Sequence, residues 1–145
     1  MSKLMMSNFP LVVALIMALL AACAGAAEPT QTVLELEGTQ WILDELNGSA
    51  PLPGTEITLA FEQGNAAGSA GCNDYGGSYE TTDGSLRIPE LIRTEKLCLE
   101  PEGIMDQEDA YLAALQGAAF YQLVDDRLQI ENGAGEATLI FRMAE

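Results

Sequence analysis

At 145 residues the chain has room for one domain built on one core. Twenty-two acidic against six basic residues give a formal charge of -16, which repels polyanions and excludes nucleic acid as a partner. Histidine is absent, which removes the usual general base, zinc ligand and activator of serine or cysteine nucleophiles and argues against a hydrolase or a metalloenzyme.

Residues 1–22 hold no acid, one base at Lys3 and the apolar run FPLVVALIMALLAA. That run is too short to span a bilayer and is placed as the hydrophobic region of a signal peptide. It closes on Leu20-Ala21-Ala22-Cys23, which resembles a bacterial lipobox, and Cys23 is expected to become the lipidated first residue of the mature chain. Small residues fit a peptidase groove, and the thiol accepts a diacylglyceryl thioether. Each buried CH₂ contributes about 0.8 kcal/mol, so the several acyl chains of a lipoprotein make a stable anchor where one would not. Cleavage at Ala22-Cys23-Ala24 or Ala24-Gly25-Ala26 in an ordinary secreted protein is the alternative. Ala24 instead of Asp after the cysteine resembles outer-membrane sorting, so a lipid-anchored protein facing the periplasm is expected. Residues 23–34, small, polar and proline-containing, read as a flexible tether ahead of a folded domain at 35–145.

GTQWILDELNG reads as a strand with Trp41 and Leu43 on one face, ending at the Asn47-Gly48 turn. In EITLAFEQG, Ile57, Leu59 and Phe61 alternate with Thr58 and Ala60, the pattern of a half-buried strand. The stretch AGSAGCNDYGGSY, residues 67–79, reads as sharply bent backbone, with Gly71, Asn73, Asp74 and Gly76 as the turn residues. Too few oxygen ligands gather there for calcium, and Cys72 has no histidine to activate it. Short runs follow at GSYET, SLRIP and LIRTEKLCL, with Asp83-Gly84 as a hairpin turn.

PEGIMDQEDAYLAALQGA reads as the one helix, with Ile104, Met105, Tyr111, Leu112 and Leu115 as its apolar stripe. Asp106, Glu108 and Asp109 lie in the early turns where the helix dipole favours anions, and Gly117 stops it. Three further strands occupy residues 119–142, reversing at Asp125-Asp126 and Asn132-Gly133. About eight short strands and one helix make a mainly β, α+β domain.

With Cys23 carrying lipid, Cys72 and Cys98 are left as an even pair in a compartment that permits disulfides. A structural disulfide is expected, with two buried free thiols or a redox pair as alternatives. Trp41, Phe61, Tyr79, Tyr111, Leu112, Phe120 and Phe141 are either core residues or the lining of a cleft.

The ordered set LEGTQWILDELNG, ITLAF, GSAGCNDYGGSY, LRI, RTEKLC, MDQEDAYLAAL and LQI…ATLIFR resembles the META domain family of HslJ-like proteins, over Leu36 to Arg142. The resemblance implies a small, incompletely closed antiparallel β-barrel with one packed helix, an envelope location, an association with stress responses and no established catalytic activity. The expectation is a non-enzymatic, monomeric envelope lipoprotein with no cofactor and no bound metal. It would act as a binding or accessory module, with a membrane contact through Cys23 and an envelope protein or lipid as partner. An acyl-chain carrier with a barrel cleft, or a carboxylate-dependent hydrolase, are the alternatives.

Overall fold

The computed structural model describes residues 35–145; the expected signal peptide, lipidation site Cys23 and tether lie outside them. Ten strands and one helix follow in order: β1 (Thr39–Leu46), β2 (Thr58–Glu62), β3 (Asn65–Ser69), β4 (Asp74–Ser78), β5 (Glu80–Thr82), β6 (Ser85–Arg87), β7 (Ile92–Arg93), α1 (Ile104–Gln116), β8 (Phe120–Val124), β9 (Arg127–Glu131) and β10 (Ala137–Met143). All pairings are antiparallel, in the order β5-β6-β8-β9-β10-β1-β2-β3-β4-β7.

β4 and β5 stand near opposite ends of that order, yet only Tyr79 separates them in sequence. The chain itself therefore joins the two ends of the sheet and curls it into an incompletely closed barrel. Residues 74–82 face residues 85–93 in two stretches, Glu80↔Arg87 to Thr82↔Ser85 and Tyr75↔Arg93 with Gly76↔Ile92, out of step by one residue. Pro89 falls in the gap between them, where a ladder bond has no donor. The closing seam is thin. β6 meets β8 through the single pair Ser85↔Phe120, flanked by Leu86 N to Ala119 O and Tyr121 N to Gly84 O.

Ten strands stand where the sequence suggested about eight. LIRTEKLCL contributes only the two residues of β7, and the glycine-rich stretch, read as sharply bent backbone, is largely the β3–β4 ladder with its corner at residues 70–73. Its glycines answer two needs. Gly71 has φ +106 at the corner, a left-handed backbone that L side chains rarely adopt. Gly68 and Gly77 instead lie in strands where another backbone passes close: a Cβ would sit 2.1 Å from the Thr58 carbonyl oxygen at Gly68 and 2.0 Å from that of Glu90 at Gly77.

Strand alternation supplies the core. Trp41 and Leu43 from β1, Leu59 and Phe61 from β2, Leu128 and Ile130 from β9, and Leu139 and Phe141 from β10 point inward. Tyr111, Leu112 and Leu115 of α1 join this core, each fully buried large side chain contributing about 1.5–3 kcal/mol. Met105, expected in the helical stripe, is only half-buried; Glu108 takes the buried slot instead. The helix begins at Ile104 behind Gly103 at φ 86, and Gly117 N donates to Ala113 O at its end.

Candidate functional site

At the end of β3 the chain turns on a hydrogen bond from Ala70 N to Asn73 O (2.7 Å), while Gly71 N donates to Ser69 Oγ (3.2 Å). This corner aims Asn73 inward, where it is 1% exposed. Its amide is fully occupied. Oδ1 accepts from Lys96 N (2.7 Å) and Thr94 Oγ1 (2.7 Å), and Nδ2 donates to Lys96 O (3.1 Å) and Glu108 Oε1 (2.7 Å). The backbone N of Asn73 donates to Glu108 Oε2 (2.7 Å). One residue thus ties the β3–β4 corner to the segment after β7 and to the helix.

Glu108 is fully buried, and both its oxygens face donors, with Arg93 Nη1 adding a third at 3.2 Å. Arg93 also bridges to Asp109 Oδ1 at 2.5 Å, and its guanidinium is held above its ordinary pKa chiefly by that hydrogen bond. Beside the amide clamp lies a disulfide, Cys72–Cys98, with Cα atoms 6.0 Å apart. A buried carboxylate is costly unless paired and hydrogen-bonded, and here it is both. Beneath it, Tyr75 OH donates to Thr58 O (2.8 Å) and shares a 2.6 Å hydrogen bond with Tyr111 OH. Burial pushes both phenols above their ordinary range, so they stay neutral donors.

The residues singled out from sequence are therefore divided. Gly71, Cys72 and Asn73 form the corner; Asp74 and Gly76, expected in the same turn, belong to β4. The reason is that Asp74 and Gly76 pair with Ser69 and Ala67 across the β3–β4 ladder. Trp41, Tyr111 and Phe141 fill the interior, and Phe61 and Leu112 are buried in it too, each reaching the wall of a surface depression with one edge only. Tyr79 packs on that core at its edge with its hydroxyl on Glu37 Oε2 (2.9 Å). Phe120, grouped with them as a possible lining residue, is 47% exposed on the outer surface, since Tyr121 takes the inward position.

Two open depressions of about 270 and 550 Å³ do follow the strand β6–β7 side of α1, meeting at Gln116. The first is lined by Leu91, Arg93, Asp109 and Leu112, the second by Leu86, Ile88 and Pro89. Glu108 and Arg93 were missed from sequence, although Glu108 sits in the helical stripe itself, four residues from both Ile104 and Leu112. No cluster of three or more cysteine or carboxylate groups suited to a metal occurs among the described residues.

The sequence matches the META domain family over residues 34–145. Among solved structures, a protein from Burkholderia xenovorans has a TM-score of 0.61 at 26% identity, covering 81% of this chain and 97% of its own. A DUF4847 family protein from Bacteroides vulgatus has a TM-score of 0.54 at 15% identity, covering 74% and 93%, a likeness of fold alone. The sequence matches no curated protein.

Proposed function

The chain belongs to the META domain family, and from that premise we propose that it is a non-enzymatic accessory module, held at the bacterial envelope by lipid on Cys23, that acts by binding. The observation that carries this reading is the arrangement around Asn73. Its chemically most capable groups, the Glu108 carboxylate, the Asn73 amide and the Cys72 and Cys98 sulfurs, all have partners within the domain. Glu108 is the one buried carboxylate among the described residues, whereas acid–base hydrolysis of a glycoside calls for two facing one site. A carrier role for an acyl chain finds Trp41, Phe61, Tyr111 and Phe141 of its expected lining committed to the core.

The lipobox at Leu20–Cys23 supports the envelope anchor. Cys23→Ser is expected to move the protein from the membrane to the soluble fraction, and unchanged retention would remove the anchor from this reading. Association with stress tolerance rests on the family resemblance and predicts that deletion strains lose viability under envelope stress in a manner restored by the anchored chain. Restoration by a chain truncated before residue 35 would instead show that the anchor is dispensable.

A further inference from the structure

The most exposed large hydrophobic side chains of the domain are gathered in eight residues: Ile92 at 72%, Leu97 at 78% and Leu99 at 78%. Scattered single apolar residues need no explanation, but three within eight residues of one segment concentrate exposed apolar surface of the kind that marks a contact site. The segment that bears them is not loose. Asn73 holds the backbone of Lys96 from both its N–H and its carbonyl, Thr94 N donates to Asp74 O, and Cys98, between the two leucines, is bonded to Cys72. The buried corner thus has an external product: it presents Leu97 and Leu99 outward on a fixed backbone, and a preordered contact segment loses little freedom on binding.

Charge selects the partner. Glu90, Glu95, Glu100 and Glu102 alternate with or flank Ile92, Leu97 and Leu99 in sequence, all exposed and with no cation within 4.0 Å among the described residues, while Arg93 and Lys96 are already paired with Asp109 and Asp74. Such a rim repels an anionic bilayer and a second copy of this acidic chain, and it complements a basic surface. The chain also enters the domain elsewhere. Glu37 accepts from Gln63 N and Gly64 N at one end of the β3–β4 ladder, and the patch lies at the other. We infer that residues 90–102 form a docking surface for a partner protein that presents an apolar groove with a basic rim. This deepens the binding-module reading and rests on it.

The test places a photo-crosslinking amino acid at Leu97 of the full chain in its own cells. A discrete adduct with another polypeptide is expected, abolished by Ile92→Asp with Leu99→Asp and reduced several-fold by Glu95→Gln with Glu100→Gln. The same amino acid at Leu123 should give none. Unchanged thermal midpoints of the purified variants would show that the fold is kept. Adducts indifferent to all these changes, or equal at Leu123, would overturn the proposal. So would an adduct of twice the chain mass from the purified protein alone, which marks a second copy. Binding of the lipid-free Cys23→Ser chain to phosphatidylethanolamine–phosphatidylglycerol vesicles, lost in the aspartate variant, would assign the patch to the membrane instead. Loss of the anchor alone, read by fractionation, leaves these outcomes unaffected.

Discussion

Asn73 and Glu108 form a pair whose worth shows most clearly in its removal. Glu108→Ala strips two acceptors from buried donors and is expected to cost about 3–5 kcal/mol in denaturant unfolding, by analogy with one-sided removal from a buried charged pair. Asn73→Ala should cost a similar amount, and the double variant less than the sum, because the bond from Asn73 Nδ2 to Glu108 Oε1 is lost in both. Strict additivity would show that the two side chains act separately. Gly77→Ala meets the Glu90 carbonyl and should destabilise by about 1–3 kcal/mol, measured in the same way. Glu37 gives the pH prediction. Hydrogen bonds from Gln63 N, the Tyr79 hydroxyl and Gly64 N hold its carboxyl below the ordinary 4.5. Its stabilising contribution is therefore complete above pH 4.5 and is lost as pH falls through the lowered value. Burial, then the Glu37 hydrogen bond, pushes the Tyr79 phenol up to about 12. Glu37→Gln should bring that phenol partway back toward 10, followed by phenolate absorbance, and an unchanged titration would contradict the contact.

Among the elements, the segment 94–99 is the one whose order is imposed from outside, by the Asn73 amide and the disulfide together. Closing 26 residues of sequence separation corresponds to about 3–4 kcal/mol in the chain-entropy view, so reduction should lower stability by roughly that amount. It should speed exchange at the hydrogen-bonded Thr94 and Lys96 amides more than in the β9–β10 ladder; equal effects in both would mean that the bridge does not act locally. The elements differ in how far their sequences announce them. β1, β2 and the three strands after α1 show alternation and turn residues, and both follow from local sterics. β3 does not. NAAGS has neither alternation nor β-branched residues, and it is a strand because Gly68 admits the Thr58 carbonyl, a contact made only in the folded sheet. The same holds for Glu108: dipole reasoning explains an acid early in a helix, and only the tertiary corner explains why it is buried. The cysteine pair, the corner at Gly71–Asn73 and the apolar interior were accessible from residue type, while Arg93 and the exposed leucines depended on where the corner puts them.

For the molecule as a whole, the curl of the sheet brings chain segments distant in sequence, residues 70–73, 93–98 and 104–109, to one corner, and Tyr79 carries the strand that completes the curl. Of the aromatic residues considered for a ligand cleft, Trp41, Phe61, Tyr111 and Phe141 fill the barrel, so the proposed recognition falls to the surface. A chain of -16 charge is expected to favour basic partners from a distance, so association should weaken several-fold as salt rises through the physiological range. The central claim is that the Asn73 clamp is a structural device that holds a contact segment and is not a reactive centre. Hydrogen exchange at the Lys96 amide tests it most directly. That amide should be protected in the intact protein and should lose its protection in Asn73→Ala, while Phe61 and Leu128 in the barrel keep theirs. A Lys96 amide that exchanges at the unfolded-chain rate in the unaltered protein would contradict the account.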